Sequence, residues 1–234
     1  MLPLPISGYV LAGGRSSRMG TDKALLQLAG KPLIAHAVAK LRRICEDVAI
    51  LSNNAALADY APLVSDLHPG CGPIAGIEAA LTHSAHAWNL ILPVDMPFVP
   101  TELLFSRAAG AINAHPPLSI EMFTIFGRPQ PALCFLYQEV ARYIGAAIER
   151  GDFQLMAALQ AAATALAALH NQPLDRILRN EPITFDYQFS ALPGEGGPSL
   201  VTQAQQDAIR LWFENLNTPE DFALAEAHIA ALDT

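Results

Sequence analysis

The chain has 234 residues, a formal net charge of −8, and 52% hydrophobic against 15% charged residues. That composition excludes a disordered chain and supports a single α/β domain with a large core. The acidic balance argues against nucleic-acid or anionic-membrane partners.

In chain order, Gly8 to Ala12 is a short apolar run that ends at paired glycines, the pattern of a buried parallel strand and a turn. Pro32 opens a helix on which Leu33, Ile34, Ala37, Val38, Leu41 and Ile44 share one face. Val48 to Leu51 is the next strand, closing a βαβ unit with an expected right-handed crossover. Pro73 to about Ser84 reads as a helix, Trp88 to Val94 as a strongly apolar strand, and Thr101 as the cap of a helix to about Asn113. Ile120 to Phe126 and Ala132 to Tyr137 are strands joined by a Gly-Arg-Pro turn, followed by helices at about Glu139 to Arg150 and Gln154 to His170.

Asn171 to Ser199 breaks this alternation with four prolines and a Gly/Pro-rich run, and reads as an embellishment carrying a mobile loop. Ile209 to Glu214 is expected to be a strand. In the last helix Thr218 is the N-cap, Pro219 the first helical residue and Asp221 the closer of a capping box. The expected architecture is a three-layer αβα, Rossmann-like fold around a mostly parallel mixed sheet. We expect one domain over residues 1–234, with an embellishment at about 165–205.

No secretory leader is evident, and the Ala-rich stretch Met156 to Leu169 falls short of the ~20 residues a membrane span needs. Cys45, Cys71 and Cys134 are odd in number and form no CxxC pair, as expected of reduced thiols in a cytoplasmic protein.

Seven of the 14 Lys and Arg residues lie between Arg15 and Arg43, so the acidic chain opens with a basic segment. The stretch VLAGGRSSRMGTDK (Val10 to Lys23) combines glycines, which let backbone N–H groups approach phosphate oxygens, with Arg15, Arg18 and Lys23. It is neither a Walker A loop nor GxGxxG, so a different phosphate grip is implied, with Arg15 facing solvent. Three further stretches end apolar segments, where α/β sheets bind ligands. Asp95, in PVDMP, closes the most hydrophobic strand, where a divalent cation such as Mg²⁺ would compensate its charge. Asp66 precedes a Gly/Pro loop that feeds a helix N-terminus, a place suited to anions. Asn215 and Asn217 would point to one face if the chain is extended there, and they serve equally well as turn and capping residues. His83 and His86 have no third ligand nearby and read as a solvated helix end.

The stretches LAGGRSSRMGTDKALL, GKPLI, SDLHPGCGPIAGIEAAL, PVDMPFVP, GRPQPALCFLY and NLNTPEDF resemble, in this order, those of the molybdenum cofactor guanylyltransferases. That family has the nucleotide-diphospho-sugar transferase fold. The resemblance covers most of the chain but not about Thr164 to Thr202. It implies transfer of GMP from GTP to the terminal phosphate of the molybdopterin cofactor, with release of pyrophosphate and Mg²⁺ as the metal. It implies that Leu11, Ala12, Gly13 and Gly14 meet GTP, that Lys23 neutralises its phosphates, and that Asp66 and Asn53 contact the nucleotide. Asp95 would hold Mg²⁺, working opposite Lys23, and Asn215, Asn217 and Arg18 would serve the pterin side. Cofactor-delivery proteins or molybdoenzyme chaperones are the implied protein partners. Val94 stands where the family commonly has cysteine, a change expected to affect packing. Two other readings compete. A cytidylyltransferase of the same cofactor usually has Ala in place of one glycine of Gly13-Gly14, and a non-catalytic nucleotide-binding adaptor would not need Lys23, Asp66 and Asp95 together.

Overall fold

The computed structural model describes residues 2–13, 22–114, 118–125, 128–182 and 201–233. Strand β1 (Leu4–Leu11) leads through a 3-10 turn (Lys23–Leu25) and a small hairpin, β2 (Gln27–Leu28) and β3 (Lys31–Pro32), into helix α1 (Leu33–Ile44). Strand β4 (Cys45–Leu51), β5 (Leu63–Val64), helix α2 (Pro73–His83) and strand β6 (Trp88–Pro93) follow. Next come α3 (Thr101–Ile112), β7 (Ile120–Ile125), β8 (Arg128–Tyr137), α4 (Ala141–Glu149) and α5 (Leu155–His170). The described chain continues with α6 (Leu174–Ile177), β9 (Leu178–Pro182), α7 (Gln203–Asp207) and α8 (Pro219–Glu226).

The main sheet has seven strands in the order β5-β4-β1-β6-β8-β7-β9. β5, β4, β1 and β6 run parallel, β8 is antiparallel to both β6 and β7, and β9 is parallel to β7. The expected mixed, mostly parallel αβα sheet is therefore the observed one. One core packs α1, α3 and residues 201–233 on one face, with Ile6, Val10, Leu92, Trp212 and Leu216 among its members. The other packs α2, α4 and α5, with Tyr9, Ile91, Ile74, Ile144 and Leu159. Alternate residues of β1 and β6 enter opposite cores, as the two-residue strand period requires.

The β1–α1 contact is tight. A Cβ on Gly8 would lie 2.7 Å from the Cys45 sulfur and 3.3 Å from the Leu41 Cβ. Gly8→Ala should cost about 1–3 kcal/mol, the usual range for overpacking a core, read as a shift of the urea midpoint at unchanged m.

Three expectations are corrected here, and the segment read as an embellishment gains detail. Ile209 to Glu214 is not a strand: Ile209–Leu211 is a 3-10 turn, and a loop follows it. Its apolar residues Leu211, Trp212 and Phe213 fill the α1-side core without pairing to the sheet. Thr101 does not cap α3: Pro100 holds that position, and Asp233 accepts the Thr101 N–H at 2.7 Å. Part of the segment read as an embellishment is regular, since α6 and β9 extend the sheet edge beside β7. The loop expected to be mobile falls mainly in residues 183–200, outside the described residues. His83 and His86 are not merely solvated: they bond Tyr9 and Ser7, and His86 also meets Glu46 and Asp47.

Candidate active site

The strand register builds the site. Leu11 pairs with Leu51 on one side and Pro93 on the other, and Leu51 pairs with Val64, so four parallel strands end in one row. Three backbone bonds lock the exits: Ala12 N–H to Leu51 O at 3.3 Å, Ser52 N–H to Val64 O at 3.2 Å, and Val94 N–H to Leu11 O at 3.1 Å. The chain moves from β1 outward to β4 and β5, then returns to β6 on β1's other side. That reversal opens a crevice at the carboxyl ends of β1 and β6, where open α/β sheets hold ligands.

Leu11, Ala12 and Gly13 line this edge. Gly14, Arg15 and Arg18 lie outside the described residues. The description resumes at Asp22, whose carboxylate caps the 3-10 turn by accepting the Ala24 N–H at 3.0 Å. Its other oxygen accepts the Asn54 side-chain amide at 2.6 Å. This bond ties the exit of the opening loop to the loop after β4. Asn53, the expected nucleotide contact, is exposed, and the contacts at this turn are made by its neighbour Asn54.

The turn aims Lys23 across the crevice. Its Nζ donates to Asp95 Oδ2 at 2.5 Å and to Asn217 Oδ1 at 2.7 Å. The side chains of Lys23 and Asp95 are 16% and 22% exposed, so the pair is largely withdrawn from water yet reachable by a ligand. Lys23 and Asp95 are thus in direct contact.

Asn215 and Asn217 are not on a strand, but the corner they form is anchored. Leu216 donates its N–H to the Asp95 carbonyl at 3.0 Å and is itself buried. The α8 capping box is formed as expected. Asp221 Oδ2 accepts the N–H groups of both Asn217 and Thr218 at 2.8 Å, and these bonds hold its carboxyl below the usual carboxylate value. The Asn217 amide donates to the Asn215 carbonyl at 3.2 Å, which leaves its oxygen directed at Lys23. The structure brings Asn217 onto the central pair and leaves Asn215 beside it.

Asp66 stands at the mouth of the loop that leads into α2. Gly72 takes φ +79° at the α2 N-cap, a conformation that suits glycine, and Pro73 follows at the first turn. Gly76 lets the helix approach closely: a Cβ there would lie 3.4 Å from both Asp66 Oδ1 and Leu11 Cδ1. Burial pushes the Asp66 carboxyl up, so N–H or O–H donors from a ligand would replace the water it has lost.

The carboxyl ends of the parallel strands therefore carry Lys23, the carboxylates of Asp22, Asp66 and Asp95, and the amides of Asn54 and Asn217. Sequence reasoning missed Asp22 and Asn54. The Asp just before Lys23 was a readable cap signal, whereas Asn54 announced itself only through its contact.

A family model described as the MobA-like NTP transferase domain matches residues 8–168. The chain belongs to this family. As a MobA-like nucleotidyltransferase it is 35% identical over 176 residues to the molybdenum cofactor guanylyltransferase of Serratia proteamaculans, covering 71% of this chain and 85% of the relative. It is also 35% identical over 162 residues to the enzyme of the same name from Vibrio atlanticus, covering 67% and 81%. Among solved structures, the MobA-like chain superposes on the molybdopterin-guanine dinucleotide biosynthesis protein A of Archaeoglobus fulgidus with a TM-score of 0.68 at 23% identity, over 96% of this chain and 98% of that one. The 4-diphosphocytidyl-2C-methyl-D-erythritol synthase of Anaerococcus prevotii gives 0.60 at 11% identity, over 97% and 96%. Both structural likenesses show the nucleotidyltransferase fold. Among the described residues, no helix is long and apolar enough to cross a membrane.

Proposed function

We propose that this chain transfers GMP from GTP to the terminal phosphate of the molybdopterin cofactor, in the cytoplasm, as a single nucleotidyltransferase domain with residues 165–205 as an addition at its edge. The observation that carries the reading is the Lys23–Asp95 pair set at the aligned strand ends. It is supported by the two relatives whose names state guanylyl transfer.

The α-phosphate of GTP would lie over this pair, with Leu11, Ala12 and Gly13 at its backbone side and Asp66 toward the nucleoside. An oxygen of the acceptor phosphate attacks the α-phosphorus, and the bond from that phosphorus to the β-bridging oxygen breaks. Pyrophosphate leaves with the bonding electrons. The attacking phosphate is already anionic, so no general base is required. Lys23 neutralises charge that builds on the leaving group, and positioning supplies much of the remaining acceleration.

Asp95 fits a magnesium ion in a limited way. The described residues contain no cluster of three or more His, Cys, Asp or Glu suited to a metal, so Asp95 would hold the ion together with substrate phosphates, a common arrangement for Mg²⁺. Once bound, Mg²⁺ would draw charge from the phosphate oxygens around the α-phosphorus. With Oδ2 accepting from Lys23, Asp95 would keep its other oxygen for the ion, and substrate phosphates would compete for the Lys23 ammonium. Arg18, Asn215 and Asn217 would face the acceptor, and Asn53 the nucleoside. Cofactor-delivery proteins or molybdoenzyme chaperones would receive or present the cofactor.

The test is pyrophosphate release with molybdopterin and Mg²⁺, using GTP, CTP or ATP in parallel. GTP should be preferred at least tenfold in kcat/KM. Preference for CTP would overturn the guanylyl assignment, and tight GTP binding without turnover would mark an adaptor.

A further inference from the structure

Lys23 and Asn217 lie 194 positions apart in the sequence, yet one ammonium bonds both Asn217 and Asp95. Asn217 has little freedom to turn away. Its N–H is held by Asp221, its side-chain amide by the Asn215 carbonyl, and the next residue back, Leu216, by the Asp95 carbonyl. The amide oxygen is therefore presented to Lys23 by three separate restraints. In this arrangement the acceptor-side corner and the phosphate-side lysine satisfy each other.

We propose that the Lys23–Asn217 bond couples the two substrate sites, so that binding of the nucleoside triphosphate raises affinity for the acceptor. The inference rests on the guanylyl-transfer reading and adds an energetic link to it. Phosphates entering beside Lys23 draw its ammonium away from Asn217. The Asn217 oxygen, still held in place by its backbone, becomes free to accept a hydrogen bond from the acceptor. Without nucleotide, the acceptor must compete with the lysine for that oxygen. Linkage requires the reverse effect to be equal, so the acceptor tightens nucleotide binding by the same factor.

The experiment measures binding without turnover. Molybdopterin is titrated by its pterin fluorescence, with and without the α,β-methylene analogue of GTP and Mg²⁺, and the analogue is titrated by calorimetry with and without molybdopterin. In the wild type each ligand should tighten the other about tenfold, within the roughly 5- to 150-fold span of ordinary couplings. In Asn217→Ala the ratio should fall to about one, while the analogue alone binds within about threefold of wild type. A folded Asn217→Ala protein is expected because the bonds that hold the corner are made by the backbone. Asp221→Asn, which loosens the restraint on Asn217 but keeps its side chain, should reduce the ratio only partly. Independent binding in the wild type, or undiminished coupling in Asn217→Ala, would overturn the proposal. If neither the analogue nor molybdopterin binds the wild type, the guanylyl-transfer reading itself falls and the coupling with it.

Discussion

Replacing Asp95 with Asn should stop nucleotidyl transfer while leaving the fold standing. The variant keeps a side-chain oxygen that can still accept from Lys23, so the geometry of the pair survives. What it loses is the negative charge at the end of β6, and with it the carboxylate proposed to hold Mg²⁺. Losing one preorganised charge-stabilising group costs about 10²–10³ in kcat. Loss of the metal adds to this, so we expect a fall of at least about 10³-fold in pyrophosphate release. The stability change should be small, about 1 kcal/mol or less, because the pair remains open to water at one side. Thermal unfolding followed beside the assay separates the two effects. Near-normal turnover would remove Asp95 from the chemistry.

The largest stability effect should come from Lys40. Its side chain is 1% exposed on α1, and its Nζ donates to the Val99 carbonyl and to Asp233 Oδ1, each at 2.5 Å. The other Asp233 oxygen accepts the Thr101 N–H and, at 3.3 Å, the Gln205 amide. Arg43 donates to the Asp233 carbonyl. Lys40→Ala removes the only ammonium in this buried set and should cost about 3–5 kcal/mol, the range for deleting one partner of a buried pair. Denaturant unfolding would measure it, and a loss under about 1 kcal/mol would show that the pair contributes little.

Acidity should reveal the same contact. Burial pushes the Asp233 carboxyl up, but the Lys40 ammonium and the Thr101 N–H outweigh that and hold it below the usual carboxylate value. A carboxylate with a depressed pKa in the fold stabilises it above the unfolded value of about 4. That contribution is lost as pH falls through the folded value. Wild type should lose stability below about pH 4 more steeply than Asp233→Asn.

Much of the parallel half of the sheet was legible because its strands are short apolar runs that give way to polar or turn-forming residues such as Gly13, Ser52-Asn53 and Asp95. That pattern alone put Asp66 and Asp95 at strand ends, whereas the expected roles of Leu11, Ala12 and Gly13 came from the family resemblance. The run around Leu211, Trp212 and Phe213 misled because a short apolar segment buries equally well as a turn packed on a core. β9 was invisible for the opposite reason: Leu-Arg-Asn-Glu-Pro has no alternating apolar face, and as an edge strand it needs only the backbone of β7. Lys40 resembled any surface lysine on an amphipathic helix until its partner near position 233 was in view. The tie between Asn54 and Asp22 is a contact between distant segments that no local pattern encodes.

The distance along the chain between the paired residues has a consequence for synthesis. Lys23 waits for Asn217, 194 positions later, and Lys40 waits for Asp233, 193 positions later. Strands β1, β4, β5, β6 and β8 can assemble on the ribosome well before either partner emerges, since domains acquire structure as the chain is made. A nascent chain at that stage holds Lys40 with the Val99 carbonyl but without its counter-ion Asp233, and an unfinished corner at Asn217. Completion of the corner at Asn217 and of the Lys40 contact thus waits for the segment around residues 217–233, which is made well after the sheet strands.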